Sequence, residues 1–332
     1  SFFCVYLKMI NKKDYQGNIL IQSEGDRIDK FLFKYFNSFS RTKIKNHIIN
    51  GNILVNDKNT IPAYVLKIND KISYDLSTSV KTFSIKPENI DFDIIYEDDC
   101  LAIINKPCGI VVHPGNGNTN GTLVNGLLYK FKNLSEINDN APGIVHRLDK
   151  ETSGLMIIAK NDEVHANISK QFEERKVNKT YRAIVWGKIK ANGSIKGKIS
   201  RDRKNRTLFS IQNTGRESFT EFKRLNYFDP ISYVELYPKT GRTHQIRVHL
   251  NSISNPIICD TSYGGGEKRI KSYHVKHTNF LQKLLMSLNR VALHAYSIEF
   301  IHPQSQKINK FIAPIPQDFN YILEMLENYN ND

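Results

Sequence analysis

Apolar residues recur along this chain with two different spacings, and the change between them divides it. In DRIDKFLFKYF, residues 26–36, Ile28, Phe31, Leu32 and Tyr35 fall three or four apart, which predicts a helix with one buried face. SRTKIKNHIIN, 40–50, repeats that spacing at Ile44 and Ile48, with Ser40 as N-cap and Asn50-Gly51 as the stop. The period then shortens: NILVN reads as a strand, DKN as a turn and YVLKINDKISYDL as a second hairpin. Two short helices followed by strands predict a small α/β module over 24–80. Residues 81–90, polar with one proline, read as a linker. Residues 1–23 read as a flexible leader: SFFCVYLKM is too short for a signal peptide, no small-residue cleavage site follows, and Met9 could serve as a start.

Over 91–325 strand-like runs predominate: FDIIYEDD, LAIINKP, GIVVHP, GLMIIAK, TYRAIVWGKI, YVELYP and HQIRVHL. Helical patterns intervene near NGTLVNGLLYKF and EVHANISKQFEERK, and QDFNYILEMLENYN closes the chain as a helix. Strands outnumber helices without alternating regularly with them, so the fold class is α+β with a mixed, largely antiparallel sheet. KRIKSYHVKHTNFLQKLLMSLNR, 268–290, is polar at its start and helical at its end, and its spacing leaves open whether it is a mobile flap.

Charge changes the picture. The 332 residues carry 47 Lys and Arg against 33 Asp and Glu, a formal charge of +14. That excess points to nucleic acid or an anionic membrane surface as partner. AT-rich coding, which abundant Asn, Ile and Lys suggest, would give a basic surface without either. No apolar stretch approaches the ~18 residues of a bilayer span, so no membrane is expected. Cys4, Cys100, Cys108 and Cys259 are scattered, which argues against a disulfide framework or zinc site and fits a reducing cytoplasm. There is no dinucleotide fingerprint and no P-loop lysine. GNGNTNGT, 115–122, lacks phosphate-cradle spacing and reads as a turn before a helix.

One segment breaks the pattern. In GIVHRLDKETSGLMIIAK, 143–160, the charges of His146, Arg147, Asp149, Lys150 and Glu151 separate two runs that both want burial. A charged loop between strands is how a rigid scaffold presents reactive groups. Arg147, two residues before Asp149, would share its face in an extended segment. A carboxylate beside a guanidinium stays ionised, which suits a nucleophile or base rather than an acid. From spacing alone, a surface turn with an inconsequential Asp–Arg pair is the commoner outcome.

Resemblance tips that balance. RIDKFLF, SRTKIKNHIINGNILVN and VLKINDKI resemble the S4 RNA-binding domain. GIVHRLDKETSG resembles the signature of the RluA/RluD family of pseudouridine synthases. IIYEDDCLAIINKPCGIVVHPGNGNTNGTLVNGLL precedes it, and KTYRAIVWG, PKTGRTHQIRVHL, SYGG, VALHA and PIPQDF follow in order. The match runs over about residues 24–320 and is nearest to members acting on large-subunit ribosomal RNA. It implies that Asp149 is the catalytic aspartate, that Tyr181 stacks on the target base and that Arg247 pairs with Asp149. It further implies that Arg147 holds the extruded nucleotide, that His146 supports the loop, and that Arg242 and His244 contact substrate.

Arg41, Lys43 and Lys45 place positive charge on a helix whose N-terminal amides also favour phosphate. Arg203 and Arg206 lie in ISRDRKNRTLFS, 199–210, which reads as a hairpin gripping RNA or as a solvated turn. The expected partner is large-subunit ribosomal RNA or a ribosomal precursor, engaged by a monomer. Isomerisation demands no cofactor, and no metal is expected, since no carboxylate or cysteine stands at ligand spacing around His244, His249, His274 or His277. Two other classes compete: a non-catalytic, ribosome-associated RNA-binding protein, and a metal-dependent nuclease, which would need converging carboxylates or histidines.

Overall fold

The structure is a computed structural model describing residues 15–23, 25–36, 39, 41–77, 85–115, 117–138 and 140–331. It divides into two units, 1–86 with 135–142, and 87–134 with 143–332.

The first unit contains β1 (Gln16–Leu20), α1 (Ile28–Tyr35), α2 (Arg41–Ile49), β2 (Ile53–Val55), β3 (Lys58–Asn59) and β4 (Lys71–Asp75). Its strands form an antiparallel sheet in the order β1-β4-β2-β3. The helical spacing holds: Ile28 and Leu32 of α1 and Ile44 and Ile48 of α2 are buried against Ile53 and Ile72 of the sheet. Helix α2 gives way at Gly51, whose φ of +75° is open to glycine without a Cβ penalty. Ser40 lies outside the described residues.

Two expectations need correction. Residues 1–14 lie outside the described residues, but 16–20, expected within a flexible leader, form β1. Ile19 and Ile21 alternate into the core there, a signal too short to register in GNILIQ. The segment YVLKINDKISYDL supplies one strand, not a hairpin. Buried Asp70 closes its first half into a loop by accepting from Lys67 N–H at 2.9 Å, Asn56 at 2.8 Å and Tyr64 Oη–H at 3.1 Å. Val65 keeps a single bridge, to Arg27.

The second unit contains β5 (Asp93–Glu97), β6 (Leu101–Lys106), α3 (Leu123–Lys130), β7 (Ser153–Ala159), α4 (Asp162–Glu173), β8 (Asn178–Trp186), β9 (Asn192–Arg201) and β10 (Phe209–Gln212). There follow β11 (Arg216–Phe228), β12 (Ile231–Pro238), α5 (Gln245–Ser252), α6 (Thr278–Ser287), β13 (Leu293–Ile301), β14 (Ile308–Ile312) and α7 (Gln317–Asn331). The sheet runs β10-β9-β11-β12-β8-β13-β7-β6-β5, with β14 also on β13. Among the described residues only β13 and β7 pair in parallel, so the sheet is mixed and largely antiparallel, as expected.

All seven residues of β7 are buried, which explains its unbroken apolar run. At its start Gly154 (φ +115°) touches β13 so closely that a Cβ would lie 2.3 Å from the Ala295 carbonyl oxygen. Helix α4 is capped by the Asn161 side chain, which accepts Val164 N–H at 2.9 Å. The largest core joins Trp186, Val234 and Leu236 of the sheet to Ile246, Leu250, Leu281, Leu284, Phe319 and Ile322 of α5, α6 and α7. Segment 268–290 is therefore packed: Ile270, Leu281, Leu284 and Leu288 are buried in that core. No helix among the described residues is long and apolar enough to cross a membrane.

Three further expectations fail locally. HQIRVHL is helix α5 rather than a strand. GIVVHP is an irregular loop with carbonyls engaged outside any sheet: those of Val111 and Val112 accept the Leu123 and Val124 N–H groups that open α3. The end of the expected linker belongs to the second unit, because Glu88 accepts from Gly121 N–H at 3.1 Å and Asn125 at 3.0 Å. Residues 78–84 lie outside the described residues.

Candidate active site

The charged interruption between two apolar runs is a loop clamped from several sides. His146 accepts Ile157 N–H on Nε2 at 2.9 Å and packs on the Phe172 ring at 4.7 Å. Burial pushes its imidazole down to about 3, so it stays a neutral acceptor. Lys106, fully buried, donates to the carbonyls of Pro107, Ile110 and Lys150 at 2.7, 3.0 and 3.2 Å, the last directly after Asp149. At the far end Ser153 meets His294 Nδ1 at 2.9 Å and Arg290 at 3.1 Å, and Arg290 is in turn paired with Asp318.

The clamped loop faces a cavity of about 520 Å³. Tyr181 reaches it from β8, where the strand pairs with Leu236 of β12 and Ala295 of β13. Burial, with the charge of Asp149, raises its hydroxyl above the usual phenol range. Arg247 reaches it from α5, 3.6 Å from Asp149. Burial opposes the Arg247 charge, but the hydrogen bonds and charge of Asp260 outweigh that and hold it cationic. Those bonds are bidentate, at 2.7 and 2.8 Å, and Tyr263 lies with its ring 4.8 Å from the guanidinium carbon.

The wall between β12 and α5 is built by Gln245, every polar atom of which is used. Its carbonyl accepts from Thr240 Oγ1 and Arg242 N–H at 2.6 and 3.1 Å; its amide donates to Phe219 O and Thr220 Oγ1 at 3.1 and 2.9 Å. This fixes the turn that carries Arg242 and His244. Arg242 donates to the Glu217 carbonyl at 3.1 Å, and His244 Nε2 stands 3.9 Å from Asp149.

Asp149, Tyr181, Arg247, His146, Arg147, Arg242 and His244 thus share one cavity. Arg203 and Arg206 are exposed on the 202–208 loop of the β9–β10 hairpin, outside that lining. Asp202 shapes this loop by accepting Lys204 and Asn205 N–H groups, both at 2.9 Å. In the first unit the expected phosphate contacts remain half-exposed or exposed but have partners within the protein. Fully buried Asp29 accepts from Arg41 at 2.7 Å and Arg27 at 3.0 Å, with Lys45 at 4.0 Å, while Lys43 lies over the Phe39 ring at 5.3 Å. Sequence reasoning gave no role to Asp260 or Tyr263; the signals were a lone acid after the apolar run PIIC and the SYGG block that contains Tyr263.

One group among the described residues brings metal-type donors together: Asp98, Cys100 and His302. It does not fit a metal. His302 Nδ1 accepts Ser305 N–H at 3.2 Å, so Nε2 carries the proton and donates to Asp98 at 2.8 Å. A metal on Nε2 would force a proton onto Nδ1, facing that N–H. Burial and the nearby Asp98 push the Cys100 thiol up to about 12, so it stays protonated beside that carboxylate.

Residues 100–252 match a protein family described as RNA pseudouridylate synthase. The chain is 38% identical over 316 residues to an uncharacterized RNA pseudouridine synthase of Aquifex aeolicus (strain VF5), covering 93% of this chain and 96% of that protein. It is also 38% identical over 317 residues to the ribosomal large subunit pseudouridine synthase D of Blochmanniella floridana, covering 94% and 98%. Human RNA pseudouridylate synthase domain containing 1 has the same fold, with a TM-score of 0.53 over 74% of this chain and 96% of that one, at 23% identity. Such extended similarity leaves no room for another class: the chain belongs to the RNA pseudouridylate synthase family. It is an enzyme that isomerises uridine to pseudouridine.

Proposed function

We propose that this protein converts specific uridines of large-subunit ribosomal RNA to pseudouridine, with Asp149 as the catalytic carboxylate. The observation carrying this reading is the convergence of Asp149, Tyr181 and Arg247 on one cavity. The choice of RNA is supported by relatives named ribosomal large subunit pseudouridine synthase D.

A stacked base is out of reach, so the uridine is flipped out at a cost of about a few kcal/mol. Tyr181 stacking returns ~1–3 kcal/mol, and cationic contacts to the RNA backbone supply much of the rest. Arg147, exposed at the cavity, holds the extruded nucleotide, with Arg242 beside it. Arg247, anchored by Asp260, keeps a fixed positive charge beside Asp149. The carboxylate either attacks C1′, displacing N1 and leaving an ester that breaks when C5 joins C1′, or removes the C2′ proton as N1 departs and returns it when C5 joins C1′. In both routes uracil turns, the C5 proton leaves and N1 takes one up. Nothing is oxidised or transferred from a donor, so the reading includes no cofactor.

On the same reading residues 24–80 are an S4-type RNA-binding module, the remainder from about 87 is the catalytic domain, and the protein acts as a cytoplasmic monomer. The basic residues of α2 and the net charge of +14 support RNA as ligand. The test is to map pseudouridines in large-subunit RNA made with and without the protein. Sites lost in its absence and restored by the wild type, but not by Asp149→Asn, are expected. An unchanged map, or restoration by Asp149→Asn, refutes it.

A further inference from the structure

The catalytic reading leaves His244 with features it does not use. Its backbone is left-handed (φ 54°, ψ 20°), a costly conformation for a non-glycine residue that persists only where the surroundings over-determine it. Its Nδ1 lies 2.8 Å from the hydroxyl of Tyr263, a residue only 5% exposed. The same hydroxyl accepts Phe209 N–H at 3.0 Å, and the Phe209 ring meets the imidazole edge-on at 5.5 Å.

Counting hydrogens sets the direction of this chain. A phenol has one hydrogen to give. Phe209 N–H occupies a lone pair of the oxygen, and among the described residues His244 Nδ1 is the acceptor left within reach. Tyr263 therefore donates to Nδ1, and the proton of the neutral imidazole sits on Nε2, the atom 3.9 Å from Asp149 Oδ1. Burial keeps the imidazole below its ordinary value, Asp149 and Asp260 opposing and Arg247 and Arg147 assisting.

We propose that Tyr263 and His244 are positioning residues: the Tyr263 hydroxyl fixes the imidazole so that Nε2–H addresses Asp149 and orients its carboxylate for the ribose. The 3.9 Å separation is of the kind that tightens when substrate fills a site. Phe209 opens β10, directly after the loop bearing Arg203 and Arg206. Seating of the basic hairpin is thereby linked, through Phe209 N–H, Tyr263 O–H and His244 N–H, to the catalytic carboxylate. The inference rests on the role of Asp149 given above.

The experiment measures tritium released from large-subunit RNA transcribed with uridine tritiated at C5, using the full-length protein. Tyr263→Phe keeps the ring against Arg247 and removes only the hydroxyl. It is expected to lower kcat about tenfold to a hundredfold, with KM within about twofold. His244→Ala should do the same, His244→Gln should recover part of the loss, and the double variant should be no slower than His244→Ala alone. Wild-type kcat in Tyr263→Phe, or additive losses in the double variant, overturns the proposal. Imidazole nitrogen shifts of the unaltered protein supply a check free of folding defects: a protonated Nδ1 on His244 also overturns it. No release by the unaltered protein refutes the functional reading and this inference with it; an active enzyme indifferent to Tyr263→Phe refutes the inference alone.

Discussion

Arg247 donates to both oxygens of Asp260, at 2.7 and 2.8 Å, and stands 3.6 Å from Asp149. One guanidinium thus serves two carboxylates, one as anchor and one as working group. Asp260 is 1% exposed, so removing its charge breaks a buried pair, a change that costs about 3–5 kcal/mol. Asp260→Asn is expected to lower the denaturant midpoint accordingly and to reduce turnover even where the variant is folded. Full activity in folded Asp260→Asn would show that Arg247 needs no anchor.

Arg41 and Arg203 both looked like phosphate contacts, yet they sit differently. Arg41 closes on buried Asp29, whereas Arg203 and Arg206 are exposed on a hairpin loop. Arg41→Ala is therefore expected to lower stability as well as RNA affinity. Unfolding curves of the full chain would reveal an unchanged midpoint if the Asp29 pair contributes nothing.

Neutralising Arg203 and Arg206 together should leave the unfolding midpoint in place and weaken RNA binding. Two lost phosphate contacts reduce the slope of log affinity against log salt by about 2. Titrations at several salt concentrations check this; an unchanged slope assigns the hairpin to packing rather than to RNA.

Acid should destabilise the catalytic unit well above the carboxylate range. His249 is fully buried between Ser218 Oγ at 2.8 Å and Thr220 Oγ1 at 2.9 Å, and burial pushes it down to about 4. His294, equally buried, is also held at about 4, by burial and then by the Arg290 charge. Both values are depressed from 6.5, so unfolding takes up protons. Their contribution is complete above about pH 6.5 and is lost as pH falls toward 4, by up to ~1.4 kcal/mol per pH unit for each. Denaturant midpoints from pH 7 to 5 should fall; a flat profile would contradict the neutral assignment.

The elements readable in advance were helices with one wet side and strands buried along their whole length, such as β7. Helices α1 and α2 bury a single face, so the three-four spacing of Ile28, Leu32, Ile44 and Ile48 survives in the sequence. Helix α5 defeats that logic. Ile246, Val248 and Leu250 alternate with Gln245, Arg247 and His249 as in a half-exposed strand, but the polar residues are buried too. Each is satisfied by a partner far along the chain: Gln245 by Thr220, Arg247 by Asp260, His249 by Ser218. The strand reading of GIVVHP failed similarly, because its carbonyls go to Lys106 and α3. Asp149, Tyr181 and Arg247 were expected together from resemblance. Asp260 and Tyr263 were not, because their roles arise from a turn that no local spacing foretells.

The position of β13 in the sheet has a consequence for biosynthesis. It lies between β8 and β7 and, among the described residues, links β5-β6-β7 along the sheet to the strands from β8 to β10. During translation both flanking portions emerge before the piece that joins them. Until β13 is in place the edges of β7, which follows Asp149, and of β8, which carries Tyr181, have no partner between them, so the cavity that both residues line is closed late in synthesis.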